Sequence, residues 1–160
     1  MTPNRSQIGF VSTRLAGTDG VSLEVIKWVA ILEALGHTCC FFAGELDWPA
    51  ERSYQVEEAH FQHPEILRLT RDLFDDFIRS AETSQAVERL KNHLKNHLYE
   101  FVRRFDLDLL IVENALAIPM NIPLGLALTE LIAETNLPVI ARHHDFSWER
   151  ARFATSAADD

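Results

Sequence analysis

Apolar residues follow two kinds of spacing along this chain, and their alternation predicts the fold. Residues 8–12 (IGFVS) form a short apolar run bounded by polar residues, which reads as a buried strand. After the loop TRLAGTDG, Val21, Val25, Trp28, Val29, Leu32 and Leu35 recur at helical spacing. Gly36 stands where a glycine closes a helix, and His37 leads into a second buried strand at Thr38–Ala43 (TCCFFA). Strand, glycine-bearing loop, helix, glycine and strand make a βαβ unit, whose strands are parallel.

The pattern continues less regularly. Residues 44–50 read as loop and 53–61 as a short, irregular strand. Pro64 suits the first turn of a helix whose apolar side is Ile66, Leu67, Leu73, Phe74, Phe77 and Ile78. A longer helix starts near Ser84, with Val87, Leu90, Leu94, Leu98, Phe101, Val102 and Phe105 as its stripe. Residues 109–112 (LLIV) are the next strand, 124–135 a helix with Pro123 near its start, and Val139 to Ala141 or Arg142 the last strand. Strands without polar alternation, separated by helices, imply a mainly parallel sheet covered on both faces: an α/β, Rossmann-like, three-layer αβα domain. Ligands of such sheets sit beyond the carboxyl ends of the strands. The loops after Ser12, Val112 and Ala141 are therefore the places to look for chemistry.

The first loop, STRLAGTDGVSLE, carries Gly17 and Gly20 before a helix start, a geometry open to an anion. It matches neither a Walker loop nor the GxGxxG fingerprint, which argues against ATP and NAD. Asp19 either opposes a phosphate there or caps the helix; a glycine turn with no ligand is the competing reading. The second loop, VENALAIPMNIPLG, places Glu113 and Asn114 directly after an apolar strand. Together they offer donors and acceptors for hydroxyl groups, or else they cap loop backbone. The third, VIARHHDFSWER, gathers Arg142, His143, His144 and Asp145 at a strand tip. A histidine there can donate a hydrogen bond, transfer a proton or bind metal, and Arg142 can neutralise a carboxylate or phosphate. Trp148 packs against a sugar face or fills the core.

Composition narrows these readings. The chain has 160 residues, 47% of them hydrophobic, enough for one domain with a core. Fifteen basic against 24 acidic residues give a net charge of −9, which disfavours nucleic acid and anionic lipid as partners. No long apolar span or signal peptide is present. The two cysteines, Cys39 and Cys40, are adjacent and read as reduced strand residues, which suits the cytoplasm. In KNHLKNHL, His93 and His97 have metal-pair spacing but lack the glutamate of HExxH, and Lys91 and Lys95 repel a cation; a solvated helix face is expected instead. His60 and His63, in a loop with acids, could form at most an adventitious metal site. No GxSxG elbow and no cysteine beside a base supports a hydrolase nucleophile.

GFVSTRLAGTDGVSLEVIKWVAILEALGH at the start and LPVIARHHDFSW at the end together resemble the N-terminal half of retaining glycosyltransferases of the GT-B fold, in the large family 4 group. The resemblance runs in order along nearly the whole chain, its middle matching in pattern only. ENALAIPMNIPLG looks like a subgroup feature, of enzymes that make glycosylated small solutes. The resemblance implies an acceptor-side domain, a nucleotide-sugar donor, a small hydroxyl acceptor, no other cofactor and no metal. It carries the active-cleft histidine onto His144, with His143 second, and brings Arg14, Gly17, Thr18, Asp19 and Gly20 toward the donor diphosphate. His144 would orient the transferred sugar in an oxocarbenium-like transition state. The family's second, donor-binding domain has no counterpart here. The resemblance thus implies a truncated or split N-terminal piece (residues 1–160), inactive alone, whose partner is a C-terminal glycosyltransferase domain or a second copy. A non-catalytic α/β module that binds a small ligand or protein is the alternative. A flavodoxin- or response-regulator-like domain is the third reading and ranks last, because the chain lacks the paired acidic residues after the first strand and the phosphoacceptor and lysine pattern of a regulator.

Overall fold

The computed structural model describes residues 5–75 and 78–154. Five strands form one parallel sheet: β1 (Gln7–Val11), β2 (Thr38–Ala43), β3 (Ser53–Gln55), β4 (Leu109–Glu113) and β5 (Val139–Arg142). Their spatial order is β3-β2-β1-β4-β5, and all four pairings are parallel. The helices are α1 (Gly20–Ala34), α2 (Pro64–Phe74), α3 (Ala81–Arg104) and α4 (Ile122–Glu134).

Alternate strand residues feed opposite cores, as the two-residue side-chain period requires. Ile8, Phe10, Cys39, Phe41 and Ile111 pack on Val25 and Val29 of α1. Val11, Cys40, Phe42, Leu110 and Val112 face α3 and α4, meeting Leu94, Leu98, Phe101, Leu124 and Leu128. A third cluster joins α2 to the start of α3 through Ile66, Leu69, Leu73, Val87 and Leu90, with Phe153 against Phe74. The architecture is therefore the expected three-layer αβα sheet. Chain order reverses between β1 and β4, so a crevice opens where the loops after these strands part.

The termini of the helices have clear local causes. Asp19 caps α1 by accepting the amides of Val21 and Ser22, each at 3.1 Å. Gly36 follows α1 with φ +93°, a value that favours glycine. Ser80 caps α3 at the amide of Thr83 and Asn121 caps α4 at the amide of Leu124, both at 3.0 Å.

Some expected core positions lie elsewhere. Helix α2 ends at Phe74, so Ile78 falls beyond it and is exposed, and Leu67 also faces outward; Phe77 lies outside the described residues. On α1, Leu35 is exposed and Trp28 is partly exposed, because the fully buried positions of this helix are Ser22, Val25 and Val29. His93 and His97 do not occupy a free solvated face. His97 Nδ1 bonds the Tyr54 hydroxyl at 2.9 Å, and His93 Nε2 stands 3.3 Å from Glu58. Lys91 and Lys95 both hold Glu130 of α4 at 2.6 Å. Both cysteines are buried free thiols, and burial pushes Cys39 up to about 12, with a smaller push from Glu33.

Candidate functional site

Glu113 ends β4, which lies between β1 and the edge strand β5, and its side chain is 0% exposed. A buried carboxylate requires partners, and it has two. Arg142 Nη1 donates to Oε1 at 2.7 Å, and His144 Nε2 meets Oε2 at 2.8 Å. Arg142 is brought there by register, since β4 and β5 pair Glu113 with Arg142. His144 is fixed a second time: its amide donates to Asn114 Oδ1 at 2.7 Å, while the Asn114 amide donates to the Arg142 carbonyl at 2.9 Å. Asn114 has φ +59°, a conformation that asparagine tolerates better than most residues. It turns the chain into the loop above the sheet.

A paired carboxylate is an acceptor only. The hydrogen of this contact therefore lies on His144 Nε2, and Nδ1 takes no part in it. The far side of Arg142 lies over the indole of Trp28, 4.4 Å from its centroid. Trp28 and Glu24 are one helical turn apart on α1, so this helix walls the cluster. The Glu24 carboxyl sits below its usual range, held there first by the hydrogen bond and charge of Lys27, then by the charges of Arg142 and His144. His143 does not join the cluster; its ring lies 5.7 Å from Phe146. Asp145 turns to an ion pair with Arg150.

The glycine loop is internally satisfied to a large degree. The Gly17 amide donates to Asp47 Oδ2 at 2.7 Å, and Asp19 occupies the first amides of α1. Ser22 Oγ also donates to Asp19 Oδ2 at 2.7 Å. Burial raises the Asp19 carboxyl, but the Ser22 hydroxyl and amide, the Arg14 charge and the Val21 amide outweigh it, leaving a net lowering. Arg14 pairs with Glu45 at 2.9 Å and stands 3.9 Å from Asp19. Gly17, Thr18 and Gly20 remain exposed at the loop tip. Among the described residues no group of three or more His, Cys, Asp or Glu is arranged to hold a metal ion.

The structure thus unites Glu113, Asn114, Arg142 and His144, and leaves the loop from Arg14 to Gly20 as a separate wall. Sequence reasoning missed three participants. Trp28 carries an apolar periodicity indistinguishable from a core position. Glu45 and Asp47 lie in the loop just after β2, where the same strand-end rule would have found them.

Over 147 residues the chain is 31% identical to a mannosylglucosylglycerate synthase of Thermotoga maritima, and over 155 residues 28% identical to one of Petrotoga mobilis. Each match covers 90% of this chain and 33% of the relative, so the chain spans about a third of the length of the curated relatives it matches. No family model and no solved structure matches it. Among the described residues no helix is long and apolar enough to cross a membrane.

Proposed function

We propose that this chain is the acceptor-side portion of a glycosyltransferase that transfers a hexosyl group from a nucleotide-sugar to a small hydroxylated acid, with retention at the anomeric carbon and within a GT-B arrangement. One observation carries the reading: the similarity to the two synthases spans nine tenths of the chain. A match that broad takes in the segment from Glu113 to Arg142, wherever the remaining tenth falls.

In this reading the anomeric C–O bond to the diphosphate breaks and a new C–O bond forms to the acceptor hydroxyl, whose proton passes to the oxygen freed on the departing nucleoside diphosphate. His144 meets the transferred sugar through Nδ1. Its charge-bearing neighbours Glu113 and Arg142 hold the ring still, so orientation is set before the donor arrives. The exposed tip at Gly17, Thr18 and Gly20 faces the donor diphosphate, with Arg14 as the nearby cation. The other donor contacts come from polypeptide beyond this chain. The relatives' name supplies the first choice of chemistry: a mannosyl donor and a glucosylglycerate acceptor.

The test is a chimera in which this chain replaces the matching third of the Thermotoga maritima synthase. Given a nucleoside-diphosphate mannose and glucosylglycerate, it should form mannosylglucosylglycerate. His144→Ala should reduce kcat by about a hundredfold with the fold intact. A folded chimera that makes no product, or one indifferent to His144, counts against the reading.

A further inference from the structure

Trp148 is 78% exposed, so it belongs to none of the three cores. Its indole nevertheless has a defined position. It lies flat on the Phe146 ring, with centroids 4.5 Å apart and planes 8° from parallel. The turn beneath the two rings is stitched together by its own backbone. The Phe146 amide donates to Glu149 Oε2 at 2.8 Å, the Glu149 amide to the Phe146 carbonyl at 3.1 Å and the Arg150 amide to the Ser147 carbonyl at 3.2 Å. The Asp145–Arg150 ion pair closes it. One face of the indole is thus covered by Phe146, and the other is open.

Ser147, between the two rings in the chain, lines a pocket of about 310 Å³. The opposite walls are Ala115, Ile118 and Pro119 of the loop after β4, and Leu126 and Thr129 of α4. This loop begins at Glu113 and Asn114, and the turn begins two residues after His144. The pocket and the aromatic stack therefore flank the cluster through covalently adjacent residues. A rigid aromatic plane beside an apolar pocket with a few hydroxyls suits a ligand that has one apolar face and a hydroxylated rim. A pyranose ring has that shape.

We propose that Trp148, backed by Phe146, is a stacking platform for the pyranose ring of the acceptor. The C–H face of the sugar lies on the indole, and its hydroxyls reach Ser147, which can donate and accept, and Thr129, which accepts because its own hydrogen goes to the Gly125 carbonyl at 2.9 Å. The inference rests on the glycosyltransferase reading above and adds the acceptor subsite to it. Phe146 and Ser147 act as support and polar contact; neither takes part in bond making.

The experiment is an NMR titration of the 160-residue chain, labelled with 15N and observed at its backbone amide and indole N–H signals, the amides of the turn reporting binding in the Trp148 variants. The probes are glucosylglycerate, methyl α-glucopyranoside and, without a ring, glycerate. Both glucosides should shift the Trp148 indole saturably, and glycerate should not. Trp148→Ala should weaken glucosylglycerate binding by about tenfold or more, and Trp148→Phe by only about threefold. Since the residue is exposed, both variants should keep the wild-type amide spectrum. Binding that survives Trp148→Ala unchanged but is lost in Arg142→Ala overturns the platform and leaves the glycosyltransferase reading standing. A shift by glycerate equal to that by the glucosides also overturns the platform. If no glucoside binds, the platform falls together with the acceptor-side assignment.

Discussion

Glu113 and His144, 31 positions apart in the chain, meet at 2.8 Å beyond the carboxyl ends of β4 and β5. The carboxylate also holds Arg142, so one buried group sets the place of both side chains. Glu113→Ala should cost about 3 kcal/mol or more, because a guanidinium beside the sheet loses its partner. Glu113→Gln, which keeps one acceptor, should cost about 2 kcal/mol. Urea unfolding measures both. Imidazole 15N shifts give a second readout: the wild type should show His144 protonated at Nε2, and Glu113→Ala a mixture of tautomers. A single unchanged tautomer in the variant would show that Glu113 does not orient the ring.

Asp19 links stability to pH. Its folded carboxyl titrates below the ordinary value of 3.8, because its hydrogen bonds and Arg14 outweigh the effect of burial. A group with a depressed folded pKa contributes stability that is complete above the unfolded value and fades as pH falls through the folded one. Thermal melts of Asp19→Asn and wild type should therefore differ by a constant amount above about pH 5 and converge as the pH falls below 4. Asp19→Ala also removes the helix cap and should cost about 1 kcal/mol at neutral pH.

Gly44 lies where the loop after β2 passes under the turn at His60. A Cβ placed there would come within 2.1 Å of the His60 backbone nitrogen and 2.4 Å of its Cα. Backbone cannot rotate aside as a flexible side chain can. Gly44→Ala should cost about 3 kcal/mol or more, and should show as a large drop in the urea midpoint or as insoluble expression.

Helix α1 is apolar on its outer side as well as its inner one. Leu23, Ile26, Ile31 and Leu35 are exposed on an otherwise acidic protein. The isolated chain should self-associate through this helix as its concentration rises. The double variant Ile31→Lys with Leu35→Lys should shift sedimentation toward monomer. It should change stability by no more than about 0.5 kcal/mol, since neither side chain is in the core. Equal association by the variant and the wild type would place the contact on another surface.

Periodicity alone was enough for four strands and the helices, whereas the expected strand over 53–61 is a strand only at Ser53–Gln55 and gives way to a 3-10 turn at Glu57–Ala59. Strand residues 8–12 and 109–112 are continuous apolar runs because both faces of each strand are covered, and α3 shows its stripe because one side packs on the sheet. The strand-end rule then led to Glu113, Asn114, Arg142 and His144 from single residues at strand tips. Periodicity failed where the far side of an element decides the outcome. Leu35 fits the α1 pattern yet is exposed, Trp28 fits it yet lies against Arg142 rather than in the core, and His93 and His97 look like surface residues until Tyr54 and Glu58 arrive from β3 and the turn after it.

The sequence by itself determined which segments become strands and helices, since these depend on spacing and caps only a few residues away. It also placed polar chemistry beyond the strands. Tertiary structure alone decided what that chemistry does. The β4–β5 register set Arg142 beside Glu113 and brought His144 to the second oxygen, and α1 laid Trp28 beneath the guanidinium. These contacts join residues 29 to 114 positions apart, and their energy depends on burial, which no local pattern encodes.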